Sequence, residues 1–214
     1  MSSAKEDGRV ERGNRTRRLV LRRTVDIASV EGLEALSVGR LATELGLSKS
    51  GVFALFGSKE ELQLATVRAA SKIFVDEVLE PVDGVPAGVT RLARLCESWL
   101  GYSQRRVFPG GCFFSAVMAE FDARQGPVHD ALVQSLATWM AYVEGCAVDA
   151  RAGGELRDDT DTAQLAFELV ALMDTANAHS LLTAETLPYD RARTGITSRL
   201  RATATDSALV PQIP

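Results

Sequence analysis

The chain has 214 residues, 46% of them apolar, enough to bury a core in one large or two small domains, and its formal net charge is −4. Its apolar runs are short and broken by charge, and its N-terminus is polar and arginine-rich. That excludes a membrane span and a secretory signal and predicts a cytoplasmic protein.

Charge is distributed unevenly. Residues 1–72 carry 13 Lys or Arg against 9 Asp or Glu, whereas residues 73–214 carry 11 against 19. A basic module on an acidic body can still meet phosphate while the body is repelled outward. The three cysteines, Cys96, Cys112 and Cys146, lie far apart, and their odd number argues against a disulfide framework. They read as buried thiols, with redox sensing by Cys112, beside Gly110 and Gly111, as the alternative.

Residues 1–14 are almost wholly polar and are expected to be disordered in isolation. Arg9, Arg12 and Arg15 could form an arm into a minor groove, although a solvated tail is the simpler reading. From Thr16 to about Val30 a helix carries Val20, Leu21, Val25, Ile27 and Ala28, with Arg17, Arg18, Arg22 and Arg23 elsewhere.

The stretch from Ser37 to Leu62 is the most informative. Ser37 caps a helix from Val38 to Leu45 with an apolar stripe of Val38, Leu41, Ala42 and Leu45; Gly46 ends it, and Leu47 can fold back on the stripe. Ser48 caps a second helix whose inward residues are read as Val52, Phe53 and Phe56, leaving Lys49, Ser50, Gly51, Ala54 and Leu55 outward. Helix, glycine turn, helix in so short a span is the helix-turn-helix arrangement, in which the start of the second helix faces the major groove. Ser58-Lys59-Glu60-Glu61 then forms a capping box. The helix it opens meets no breaker until Pro81, so it is expected over 59–80, with Leu62, Ala65, Ala69 and Ile73 inward, as a mechanical link to the next domain.

After the turn-rich 81–88 segment the pattern stays helical, and no strand pattern occurs. Helices are expected at about 89–106, 112–124, 127–152, 160–183 and 189–204, separated by Pro109-Gly110-Gly111, Gly126-Pro127, Gly153-Gly154 and Pro188. The fold class is therefore all-α: a three-helix helix-turn-helix domain (15–65) followed by an antiparallel bundle (66–214), about nine helices together. The 160–183 helix is apolar on more than one side, through Leu165, Phe167, Leu169, Val170, Leu172, Met173 and Leu181. Such a helix is either central in a monomeric bundle or shared with a second subunit. In the second case Leu165, Leu169, Leu172 and Ala176 would form the interface with Ile196 and Leu200.

Large side chains crowd the same body. Trp99, Tyr102, Phe113, Phe114, Met118, Trp139, Tyr142, Phe167 and Met173 are candidates for an apolar ligand pocket, although aromatic residues at helical spacing are more often plain core. His129 and His179 have no second ligand at metal spacing, so no metal or cofactor is expected. Asp158, Asp159 and Asp161 cluster near a helix start, where they favour the helix dipole more simply than they serve catalysis, so the chain is not read as an enzyme. A helical interaction module would explain the body, but neither the arginine-rich first helix nor the Ser-Lys-Ser-Gly start of the second helix of the pair.

The N-terminal residues resemble the TetR-type transcriptional regulators. The resemblance rests on Gly32, Ser37, Leu41-Ala42-Thr43-Glu44-Leu45-Gly46-Leu47-Ser48, Phe53-Ala54-Leu55-Phe56 and Ser58-Lys59-Glu60-Glu61-Leu62. Two positions depart from the family: Phe53 stands where a phosphate-contacting Tyr is usual, and Leu55 where His is frequent. The resemblance implies a homodimer paired through its last two helices, a palindromic double-stranded DNA operator, and a small-molecule effector held in the body of what is most often a repressor. The DNA-facing residues it implies, together with the reading above, are Arg17, Arg18, Ser37, Arg40, Ser48, Lys49, Ser50, Gly51, Phe53, Leu55 and Lys59.

Overall fold

A computed structural model of the chain describes residues 2–212, without the side chains of residues 2–10 and 12. Among the described residues there are nine α-helices and no strand; only isolated bridges join Phe108 to Gly111 and Leu156 to Ala204. The helices are α1 (Ser2–Glu31), α2 (Val38–Leu45), α3 (Lys49–Phe56), α4 (Lys59–Phe74), α5 (Val89–Gln104), α6 (Phe113–Phe121), α7 (Pro127–Ala152), α8 (Thr162–Thr183) and α9 (Leu187–Thr203). No helix among the described residues is long and apolar enough to cross a membrane.

Helix α1 begins far earlier than the polar composition suggests, so the expected disorder of residues 2–14 is corrected. Once the apolar turns of Val20 to Ala28 are packed, extending the helix backward requires no new nucleus. Ala4, Lys5, Glu6, Arg9 and Glu11 are all good helix formers. The expected arm side chains Arg9 and Arg12 lie outside the described residues.

The 59–80 helix is also corrected. Regular α-helix stops at Phe74, a π-helical turn covers Val75–Leu79, and a 3-10 turn covers Glu80–Val82 with Pro81 at its start. Proline has no N–H to give the carbonyl four residues back. That carbonyl, Glu77 O, is satisfied instead by the Ser98 hydroxyl at 3.2 Å.

Two compact units result, and their boundary differs from the one expected at residue 66. The first joins the described part of Met1–Lys72 to Phe108–Leu132; the second joins Ile73–Val107 to the described part of Val133–Pro214. Helix α6 and its flanking residues thus belong with the N-terminal helices, through four polar contacts. Glu120 accepts from the Leu33 and Glu34 amides at 2.7 and 2.9 Å, Arg124 approaches Glu34 at 3.3 Å, and the Gly110 amide donates to the Ser29 hydroxyl at 3.1 Å. A Cβ on Gly110 would stand 1.8 Å from Ser29 O, so no other residue fits that crossing.

The second unit is built on α5, α8 and α9. Trp99, Tyr102, Leu165, Leu169, Met173, Tyr189, Ile196 and Leu200 are almost fully buried in it. Arg106, in the left-handed region with φ 55°, donates to the Tyr189 and Ser180 hydroxyls at 3.0 and 3.1 Å. Ser103 completes this polar cluster with a 2.7 Å bond to Asn177.

Candidate nucleic-acid interface

Helices α2 and α3 fall on the expected residues because their signals are local. The Ser37 hydroxyl accepts from the Arg40 amide at 3.2 Å, and Gly46 takes the left-handed conformation with φ 63°. Leu47 then turns back, its amide donating to Ala42 O at 2.9 Å. The Ser48 hydroxyl accepts from the Gly51 amide at 3.0 Å and from the Ser50 hydroxyl at 3.4 Å. A Cβ on Gly51 would lie 2.9 Å from that capping oxygen, which accounts for the small residue. At the next start, Ser58 accepts from the Glu61 amide at 3.0 Å, but the Glu61 carboxylate faces Arg68 at 3.7 Å rather than closing the capping box.

The orientation of α3 corrects one expectation. Val52 and Phe56 are buried and Leu55 is half-buried, but Phe53 is 55% exposed. The stripe that packs is the four-residue pair 52 and 56, and Phe53 falls about 100° away from Val52 around the helix. The outward surface is thus Lys49, Ser50, Gly51, Phe53 and Ala54.

The expected phosphate contacts divide into two groups. Arg17 donates to Leu55 O at 2.7 Å and stacks its guanidinium 4.6 Å from the Phe56 ring centre, so in this structure it pins α3 to α1. Arg40 grips Glu31 with two bonds of 2.6 and 2.7 Å and also reaches Glu44, which Arg23 holds at 2.6 Å. Lys59 donates to the Glu34 carbonyl and carboxylate, both at 2.8 Å. In this DNA-free chain Arg17, Arg40 and Lys59 therefore brace the helices that carry the expected DNA-facing residues. Hydrogen bonds from Arg40 hold the Glu31 carboxyl below its ordinary range, those from Arg23 and then Arg40 do so for Glu44, and those from Lys59 and Gln63 for Glu34. By contrast Arg18, Arg22 and Lys49 are exposed, and among the described residues none has an ion-pair partner. Lys49 lies along α2, with Cε and Nζ 3.5 and 3.8 Å from where a Cβ on Gly39 would stand.

The residues expected to line a ligand pocket are not one cluster. Phe74, for which the sequence pattern carries no pocket signal, packs edge-on against Tyr102 at 5.6 Å and Trp139 at 5.2 Å, and Trp99 meets Tyr102 at 6.3 Å. Tyr142 accepts from Arg91 at 3.3 Å, and Met173 is buried in the same unit. Phe113 and Phe114, 5.3 Å apart, and Met118 belong to the N-terminal unit. Phe167 lies apart from these rings, 62% exposed on the wall of a groove between α8 and α9.

The residues expected at a pairing surface divide as well. Leu165, Leu169, Ile196 and Leu200 are spent on the unit's own core. The surface between α8 and α9 is a groove of about 800 Å³ lined by Phe167, Ala171, Leu172, Thr175, Ala176 and His179, beside the Arg199–Glu168 ion pair.

Known proteins match both units. The family of bacterial regulatory proteins of tetR type matches residues 20–66, and the tetracyclin repressor-like C-terminal domain matches residues 88–196. The chain belongs to the TetR family. A TetR regulator of Chloroflexus aurantiacus shares its fold with a TM-score of 0.84 at 21% identity, over 91% of this chain and 98% of that one. A TetR-family regulator of Cytophaga hutchinsonii follows at 0.80 and 18%, again over 91% and 98%. A regulator of Saccharomonospora viridis, solved in complex with choline, aligns at 0.76 and 20%, over 89% and 98%. No curated protein matches in sequence. As a TetR-family protein the chain is a DNA-binding transcriptional regulator, with α2 and α3 as its helix-turn-helix and α3 as its recognition helix.

Proposed function

We infer that the protein is a cytoplasmic, non-enzymatic repressor that binds a palindromic operator as a homodimer and releases it when a small molecule enters the C-terminal body. The observation that carries this reading is the state of α3. Its supporting arginines are committed to Leu55 O, Glu31 and Glu44, while Lys49, Ser50 and Gly51 stand exposed at its capped start. Backbone amides, the helix dipole and Lys49 then face phosphate together. The apolar groove on α8 and α9 supports the dimer, and two-fold symmetry calls for two half-sites. The choline held by the Saccharomonospora viridis regulator supports a small organic effector. Such an effector must bind the DNA-free conformation more tightly than the DNA-bound one to act at all.

Selection of bound fragments from random duplex DNA, with retention followed against salt, tests the reading. Recovery of an inverted repeat is the expected result, and Lys49→Ala should then lower the salt slope by about one unit per subunit. Retention without sequence preference would instead favour a helical interaction module with vestigial DNA binding.

A further inference from the structure

Phe53 is the largest apolar side chain that α3 leaves in solvent. On a helix its neighbours along the same face lie four and three residues earlier, Lys49 and Ser50. The presented face therefore holds one cation, one hydroxyl and one ring. It lacks the guanidinium, amide and carboxylate groups that read a base pair through paired hydrogen bonds. Arg17, whose guanidinium does reach α3, is occupied by Leu55 O and the Phe56 ring.

The apolar group that a base edge displays in the major groove is the thymine C5-methyl. We propose that Phe53 is a specificity-determining residue that reads this methyl, so that each half-site places a thymine against the ring. The exposed cation Lys49 on this face, in the part of the chain where Lys and Arg outnumber Asp and Glu, favours a polyanion over an apolar protein as its occupant. The inference rests on the DNA-binding reading above and adds the chemistry of its target.

The test uses the full chain and the duplex recovered by selection, with each thymine replaced singly by deoxyuridine. That change removes the methyl and leaves base pairing intact. One thymine per half-site should prove sensitive, with affinity falling about fourfold for the loss of one buried methyl-sized group. Phe53→Ala should bind the parent duplex more weakly and lose that sensitivity, and Phe53→Tyr, which keeps the ring, should retain it. A selected site with no thymine, with no thymine sensitive to the replacement, or with equal sensitivity in Phe53→Ala overturns the inference and leaves a sequence-specific regulator. Failure to select any site overturns the inference together with the reading beneath it. The deoxyuridine series needs only the unaltered protein, so it decides the matter even if a variant folds poorly.

Discussion

Both units brace charges at the surface and bury hydroxyls, but the body gathers its buried polar groups into the larger cluster. In the N-terminal unit the charges sit at the surface and brace one another, Arg40 and Arg23 against Glu31 and Glu44, and Lys59 against Glu34. In the body a cluster of hydroxyls and one amide, Ser103, Asn177, Ser180 and Tyr189, is buried under Arg106. Each unit also exposes one phenylalanine by more than half, Phe53 among Lys49 and Ser50, Phe167 in an apolar groove. The first unit is arranged to present a small cationic face on helices held by exact backbone contacts. The second is arranged around volume, with a groove left open on α8 and α9.

The hardest test of that contrast exchanges one hydrogen for a methyl in each unit. Gly110→Ala would drive a Cβ into Ser29 O at 1.8 Å, a clash with backbone that no side-chain rotation relieves. It should cost about 4 kcal/mol or more of the N-terminal unit's stability. Gly145, inside α7 in the body, has nothing within 4 Å of the same added atom. There the substitution should gain about 0.5–1 kcal/mol, because alanine is the better helix former. Urea unfolding of both variants measures the pair, and equal effects would dissolve the contrast.

The exposed phenylalanines sharpen it. Phe167→Glu removes no core contact, yet it places a carboxylate on the groove that two-fold pairing would cover twice. With about 1.5 kcal/mol lost for each copy, the dimer dissociation constant should rise by about a hundredfold. Sedimentation against concentration reads the change; a dimer unaffected by Phe167→Glu would move the pairing surface elsewhere.

Much of this architecture was legible in the residues. Ser37, Gly46 and Ser48 mark α2 and α3 to the residue because a cap or a left-handed glycine acts within four positions of itself. The body helices were placed within a few residues for the same reason. What the sequence could not carry is partnership across long separations. No local pattern announces that Glu31 and Glu44 converge on Arg40, and α6 looks like part of the body until Glu120 reaches Leu33, 87 residues away. Periodicity alone placed Phe53 inward, because positions 52, 53 and 56 can share a stripe, and only packing chose the 52 and 56 pair. Beside the π turn at Val75–Leu79, the Ser98 hydroxyl of another helix donates to Glu77 O, a partner that no local pattern announces.

The smallest effect expected comes from the surface charges themselves, and its sign follows from linkage. Glu31, Glu34 and Glu44 have carboxyls held below the ordinary value of 4.5, so around that pH the unfolded chain binds more protons than the folded one. Their contribution is present above about pH 4.5 and is lost as pH falls through the lower folded values. All three side chains are substantially exposed, so solvent screening keeps that contribution modest. Unfolding midpoints measured at pH 7 and again below pH 4.5 should fall on acidification, and less steeply for Arg40→Ala, which removes the grip on both Glu31 and Glu44. High salt should flatten the wild-type curve toward that of the variant. An Arg40→Ala protein with the full acid dependence would show that the brace is geometric rather than electrostatic, and would shift the support of the N-terminal unit onto Arg17, Glu120 and the Gly110 crossing.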